Sequence, residues 1–409
     1  MTYIEFQSKY DIENVCSCIV HAPDKVIIIG SDKKKVPVDR YSSFFAKRKK
    51  KVEFVFQPVN KIKVSEIADV LRNIIENEPD CCFDITGGDE TSLFALGMVF
   101  EEYRRKGRTI QIHKVNITNG IVYDCDGDGN IIASNEYPNL TVMENIFLHG
   151  GKVKDHESKE IKKAGKAATL EIKETVESLW SVCREYGVEW NKLVKAINAN
   201  NSIDNEKAEL PFKLFSSKLN PKERIKDEIL RDLSGKCLIT LKKGNNSYLI
   251  DFKNDTVKKC LFKEGQTLEF IVYFYAAEAK DKDESLKYND VLTGVTIDWD
   301  GIINESPDTF DLMNEIDVIA MKSMVPIFIS CKNGSISSDE LFKLREVTKK
   351  FGGKYARMAL ISTSGDLKNE VIKERAKALK IKLINPVEDE NDKKKTDEKF
   401  KKDIKNLYS

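Results

Sequence analysis

Residues 314–332 read NEIDVIAMKSMVPIFISCK: two apolar runs, 314–321 and 326–332, with only Lys322–Val325 between them. A connection this short joins antiparallel strands as a hairpin. Side chains alternate across a strand, so Glu315 and Asp317 share a face, and so do Ser330 and Lys332. A turn about Ser323–Met324 sets Asp317 opposite Ser330 and Glu315 opposite Lys332. Two acids and a lysine then converge on one face. Carboxylate oxygens suit a hard divalent cation such as Mg²⁺ or Mn²⁺, and a neighbouring lysine can offset charge developing on a phosphorus centre. The same pattern would also serve as a surface salt bridge on an edge hairpin, and the spacing alone leaves both readings open.

Around this hairpin the pattern is regular. A helix is expected over 266–280 (QTLEFIVYFYAAEAK), a strand over 291–299, then the hairpin, a helix over 338–350, a strand over 354–362, a helix over 367–379 and a strand over 381–384. That is an αβββαβ core.

The first 145 residues alternate strand and helix on a different plan. Tyr3–Gln7, Lys25–Gly30 (KVIIIG), Val52–Gln57, Cys81–Thr86 (CCFDIT) and Thr109–Val115 read as strands, and Ile12–Val20, Lys63–Asn77 and Asp89–Lys106 as helices. Such alternation implies a parallel, Rossmann-like sheet with helices on both faces. Ligands of these sheets sit beyond the strand carboxyl ends. Those ends carry Gln7-Ser8, Gly30-Ser31-Asp32 and Thr86-Gly87-Gly88-Asp89. The paired glycines would let backbone N–H groups approach an anion, or simply make a tight turn. Asp89 and Glu90 favour the helix dipole but would repel a phosphate lying on them. No GxGxxG or GxxxxGK[ST] occurs, which excludes the usual dinucleotide and P-loop sites. Asp124–Gly129 (DCDGDG) begins like a calcium loop. Position twelve is Asn135 rather than Glu, however, and a hairpin turn accounts for it better.

Between the two halves, 160–186 and 190–199 read as helices, 200–209 as a polar loop, 222–233 as a further helix, and 237–241 with 248–252 as a hairpin. The expected division is a Rossmann-like domain over 1–149, a helical, winged-helix-like connector over 150–260, the αβββαβ domain over 261–387 and a charged tail over 388–409. Composition sets bounds on function. The 409 residues carry 67 Lys+Arg against 66 Asp+Glu, so any anion must meet a local patch rather than a bulk positive field. Nine scattered cysteines without a CxxC pair, and only four histidines, argue against a disulfide framework, a structural zinc site or Ser-His-Asp catalysis. No apolar run is long enough for a membrane span and no secretion signal precedes the first strand, so a cytoplasmic address is expected.

The motifs GxxLE at Gly265–Glu269, NEID at 314–317, ISCKNG at 329–334 and FGGKYAR at 351–357 resemble the PD-(D/E)xK nuclease superfamily. With the IIG and TGG segments and the connecting hairpin, the chain resembles CRISPR-associated ancillary nucleases that fuse a CARF sensor to such a nuclease. The resemblance implies catalytic roles for Glu269, Asp317 and Lys332. It implies metal ligation by Glu269, Asp317 and the Cys331 backbone carbonyl, and a ligand loop at Thr86, Gly87 and Gly88. Ser330 stands where the superfamily usually has Glu, and Glu315 is the replacement on the same face. Glu340 matches a polar active-site position. The implied activity is Mn²⁺- or Mg²⁺-dependent cleavage of DNA and/or RNA by a homodimer. Its activator would be a cyclic oligoadenylate, cyclic tetra-adenylate by family analogy. The alternatives are a ligand-sensing transcription regulator and a DNA-repair nuclease without a regulatory ligand.

Overall fold

A computed structural model describes residues 1–408 apart from 32–35, 61–62, 109, 117–119, 201–211, 216–225, 244–246, 303–311 and 388–392. The expected site residue Asp32, part of the 200–209 loop, the start of the 222–233 helix and the turn at 244–246 lie outside the described residues.

The N-terminal sheet is built from β1 (Thr2–Phe6), β2 (Lys25–Gly30), β3 (Glu53–Pro58), β4 (Cys81–Asp84), β5 (Gln111–Asn116), β6 (Ile121–Cys125) and β7 (Ile131–Glu136). Helices α1 (Cys16–His21), α2 (Val38–Lys47), α3 (Val64–Asn77) and α4 (Glu90–Arg105) connect the parallel strands. The order is β3-β2-β1-β4-β5-β6-β7, parallel through β5 and antiparallel beyond it. The near-continuous burial of KVIIIG fits a strand covered on both faces. β1 lies between β2 and β4, so the chain reverses direction across the sheet there and opens a crevice at the ends of β1 and β4. The helix expected over 12–20 is split: a 3₁₀ turn fills 11–14 and α1 starts at Cys16.

After α5 (Val142–Leu148) the chain departs from the expected division. β8 (Lys152–Asp155) is not part of a connector. It pairs antiparallel with a strand of the C-terminal sheet. Then follow α6 (Ser158–Lys163) and α7 (Lys166–Tyr186), two helices where one was expected, because Ala164 is extended and Gly165 caps α7. α8 (Val188–Asn200), β9 (Phe212–Phe215), α9 (Asp227–Gly235), β10 (Ile239–Lys243), β11 (Ser247–Phe252) and α10 (Asp255–Phe262) complete the segment. β9 adds a third strand to the expected hairpin, giving the order β10-β11-β9.

The C-terminal domain runs α11 (Gln266–Ala277), β12 (Asp290–Asp298), β13 (Met313–Lys322), β14 (Val325–Lys332), α12 (Ser338–Gly352), β15 (Arg357–Ser362), α13 (Glu370–Ala378), β16 (Ile381–Ile384) and α14 (Lys393–Lys405). Its sheet has the order β16-β15-β14-β13-β12-β8, and the expected αβββαβ frame is present. The tail is not merely a charged extension. Phe400, Ile404 and Leu407 recur at helical spacing and are buried, and the Tyr288 hydroxyl donates to the Ile404 carbonyl at 2.7 Å. The surrounding lysines mask this apolar stripe in the sequence.

Two packing facts position the site. One hydrophobic cluster joins α7, α8 and α10 to α11, so the connector and the C-terminal domain share a core. A second cluster runs from Tyr3, Ile12 and Phe45 of the first domain to Leu292, Phe328 and Phe351 of the last. Polar contacts fasten the same seam. Asn145 donates to the Phe351 carbonyl at 2.8 Å, and the Leu140 amide to the Ser323 carbonyl at 3.1 Å. The first and last domains thus touch directly within one chain.

Candidate functional site

The hairpin closes at Lys322–Val325 with Ser323 in the left-handed region, and its ladder runs to Val318–Ile329. The next pair in this register is Asp317 with Ser330. Ser330 Oγ donates to Asp317 Oδ2 at 3.2 Å and the Cys331 amide donates to the same oxygen at 2.6 Å. Beyond that point β13 continues only along β12 and β14 only along β15. The strands part there. Ile316 and Ile319 belong to one hydrophobic cluster and Val318 to the other, so side-chain alternation breaks at Asp317. A cleft of about 230 Å³ opens at the break, lined by Glu315, Asp317, Ser330, Lys332 and Glu340 among others.

The two acids do not behave alike. Asp317 sits in the split, and burial raises its pKa despite the Cys331 amide. Glu315 is half-exposed and turns to Lys263, with Nζ 2.6 Å from its Oε1, rather than to Lys332. Lys332 pairs with Glu340 at 3.4 Å. Burial works against its charge, but Asp317 and Glu340 outweigh that and hold its pKa above the ordinary lysine value.

Glu269 arrives from the first turn of α11 and is buried. Burial, reinforced by the Asp317 charge, pushes its pKa up to about 8. Two residues of this cluster escaped the sequence reading. Glu157 accepts from Gln266 Nε2 at 2.5 Å, and Lys263 Nζ lies 3.2 Å from Glu157 and 3.6 Å from Glu269. Gly294, inside β12, has φ +59, and a Cβ there would come within 2.5 Å of the Glu157 side chain. The flanking pairs Thr293–Val318 and Val295–Ile316 set Gly294 against Asp317. A glycine inside a strand marks such a close approach, and it was the available sequence signal for Glu157.

A lysine held among three carboxylates occupies the electrostatic place of a cation. The donor set is all oxygen and suits Mg²⁺ or Mn²⁺. Replacing Lys263 by Met should therefore enlarge the rise in melting temperature produced by Mn²⁺, because the ion no longer competes with an internal charge. Equal thermal shifts in variant and wild type would count against this.

At the other end of the chain, the strand-end residues are gathered but largely committed to one another. Gln7 Oε1 accepts from the Ser31 amide at 3.0 Å. Ser8 Oγ donates to Glu13, Thr86 Oγ1 accepts from the Val115 amide at 2.8 Å, and Asp89 caps α4 by accepting from the Ser92 amide. A Cβ at Gly30 would overlap the Gln7 side chain, and one at Gly87 would lie 2.7 Å from the Phe6 carbonyl. Gly88 has φ +97 and faces Phe6, so its lack of a side chain serves the turn and the core beneath it.

Beneath this loop, Glu5 and Asp84 are paired across β1 and β4 and are fully buried. Burial raises both pKa values, that of Asp84 to about 6. The folded chain therefore holds a proton on Asp84 that the unfolded chain releases near pH 4. This contribution to stability is complete below pH 4 and is lost as pH rises through about 6. Asp84→Asn, which keeps the acceptor for the Thr86 amide, should melt higher than wild type at pH 8, by up to about 3 kcal/mol of stability, with the gap about halved at pH 5 and closed below pH 4. Parallel melting curves at both pH values would refute it.

Residues 257–403, which include Glu269, Asp317, Lys332 and Glu340, match the family model described as Card1-like, endonuclease domain. The C-terminal domain is similar to Card1-like endonuclease domains. Across the whole chain the fold is that of protein VC1899 from Vibrio cholerae (TM-score 0.74, 18% identity, covering 99% of this chain and 98% of that one). It is also that of Can2 from Sulfobacillus thermosulfidooxidans, solved in complex with cyclic tetra-adenylate (TM-score 0.64, 18% identity, 93% and 94% covered). No curated protein matches the sequence. The expected fold, a Rossmann-like domain followed by a nuclease-like domain, is borne out, the second by the family match and the whole by the shared fold. No helix among the described residues is long and apolar enough to cross a membrane.

Proposed function

We propose that this chain is a divalent-metal-dependent endonuclease of CRISPR defence, hydrolysing phosphodiester bonds in DNA and/or RNA and switched on by a cyclic oligoadenylate. The observation that carries this reading is the coincidence of the Card1-like endonuclease match with the Asp317–Lys332 cleft where β13 and β14 part. Asp317, Glu269 and Glu315 would hold Mn²⁺ or Mg²⁺, with the Cys331 carbonyl as a further ligand. The metal, when bound, supplies a more acidic water and polarises a phosphoryl oxygen. Lys332, kept charged by Asp317 and oriented by Glu340, offsets negative charge as it develops on the phosphorane. Ser330 and the Cys331 amide fix the Asp317 carboxylate, so the departure from Glu at position 330 leaves Ser330 in a positioning role. A groove of about 320 Å³ lined by Lys258, Lys259, Lys263 and Asp255 among others shares Lys263 with this cluster, and its excess of lysines suits a polyanionic strand.

The activator site is the crevice at Gln7, Ser8, Gly30, Ser31, Thr86, Gly87 and Gly88. Cyclic tetra-adenylate is favoured because the fold is shared with Can2, which was solved with that ligand. A ring with two-fold symmetry fits a pocket made by two copies. The first half of α4, directly after the glycine loop, leaves Leu93, Phe94 and Met98 exposed, an apolar face suited to a second copy. A cleavage assay on labelled DNA and RNA with Mn²⁺, with and without cyclic oligoadenylates of several ring sizes, tests the proposal. Metal-dependent cleavage stimulated most by the four-membered ring is expected. No cleavage under any condition, or cleavage indifferent to every ring, would reject it.

A further inference from the structure

Two of the four histidines converge on one carboxylate in the sensor domain. His113 of β5 and Asp124 of β6 are directly paired across the strands, and His21, at the end of α1, lies over them. His113 Nδ1 is 2.8 Å and His21 Nε2 3.0 Å from Asp124 Oδ1. Among the described residues this is the only group of three or more His, Cys, Asp or Glu whose ligand atoms all lie within 4.8 Å of one another. We propose that His21, His113 and Asp124 bind one Zn²⁺ ion, with water as the fourth ligand.

Tetrahedral zinc with bonds of about 2.0–2.2 Å places its donors roughly 3.3–3.5 Å apart, so the two histidine nitrogens would each move away from Asp124 Oδ1 by about half an ångström. Two imidazoles and one carboxylate favour zinc over calcium or magnesium. Each of two ligands already has an outer partner of the kind metal sites use. Tyr3 Oη lies 3.1 Å from His113 Nε2 and can accept its N–H, which fixes Nδ1 as the metal-facing nitrogen. Burial keeps the Tyr3 phenol protonated. Asn135 Nδ2 donates to Asp124 Oδ2 at 3.2 Å and leaves Oδ1 turned toward the histidines. His21 Nε2 is buried and, although 3.0 Å from Asp124 Oδ1, is not aligned for a hydrogen bond. The DCDGDG motif also resolves here. Asp126 spends its oxygens within its own turn, on the Asp128 and Asn130 amides and the Asn130 side chain, whereas Asp124 faces the histidines. None of the three residues belongs to the nuclease cleft or the proposed activator crevice.

The test is Zn²⁺ titration of chelator-treated full-length protein by calorimetry, with metal analysis after dialysis. Wild type and Asp317→Asn should each bind one Zn²⁺ per chain. His21→Gln and Asp124→Asn should bind it at least a hundredfold more weakly, and the zinc-induced rise in melting temperature should vanish with them. His21→Gln, at a partly exposed helix end, decides the matter if Asp124→Asn fails to fold. The site is refuted if wild type takes up no zinc, if His21→Gln binds it unchanged, or if Asp317→Asn abolishes uptake.

Discussion

Asp317→Asn should lower Mn²⁺-dependent cleavage by about three orders of magnitude or more while leaving the melting temperature unchanged or slightly raised. The two halves of this result have separate causes. Asn keeps the shape and an acceptor for the Cys331 amide and Ser330, so the split between β13 and β14 persists. It removes the charge that burial already disfavours, so the fold loses nothing. The proposed metal, however, loses its central anionic ligand. Lys332→Met should cost less, about a hundred- to a thousandfold, the scale of one lost electrostatic contact to a transition state. Rates within tenfold of wild type in Asp317→Asn, for both DNA and RNA, would move the chemistry elsewhere.

The second large effect is expected at Glu13. This buried carboxylate accepts from Ser8 at the proposed activator crevice and from Tyr355 in the C-terminal domain, and it pairs with Lys354 at 2.9 Å. Lys354 and Tyr355 lie between α12, which carries Glu340, and β15, which flanks β14, the strand of Ser330 and Lys332. A ligand that changes how Ser8 is held therefore changes a contact made by the nuclease half. Moving a population from 1:99 to 99:1 needs about 5.5 kcal/mol of differential affinity, which only contacts that differ between the two states can supply. Glu13→Gln weakens both the ion pair and the Ser8 bond. The ratio of activated to basal cleavage should fall at least tenfold, with Tyr355→Phe producing a smaller loss. A ratio within twofold of wild type in Glu13→Gln would mean that the switch runs along another route.

The sequence revealed the local parts of this design and missed the long-range ones. A two-residue turn fixes hairpin register, so the meeting of Asp317 with Ser330 could be read directly from 314–332. The break in alternation at Asp317 could not, because it depends on β12 and on Gly294 opposite. For that reason Glu315 was expected beside Lys332 and is found on Lys263. Glu157 lies more than a hundred positions before Glu269, in a segment whose charged helices gave no hint of a strand joining the distant sheet. The strand-end residues of the first domain were placed correctly by topology, but only the structure shows that Thr86 and Asp89 spend their side chains on neighbouring amides.

The continuous apolar seam between the first and last domains bears on how such proteins can be recombined. Ile146 and Leu148 of α5 share one cluster with Val295, Ile297 and Phe351, and a Cβ at Gly151 would come within 2.4 Å of the Phe351 ring. A chimaera spliced near residue 150 would mate one parent's α5 and β8 with another parent's Phe351 loop and leave mismatched surface at the join. Such hybrids should aggregate or melt early even when both parents are robust. The two halves are thus not interchangeable cassettes: a graft of a new N-terminal domain has to carry the matching 351–355 segment with it, and the C-terminal domain is inherited together with the face it was fitted to.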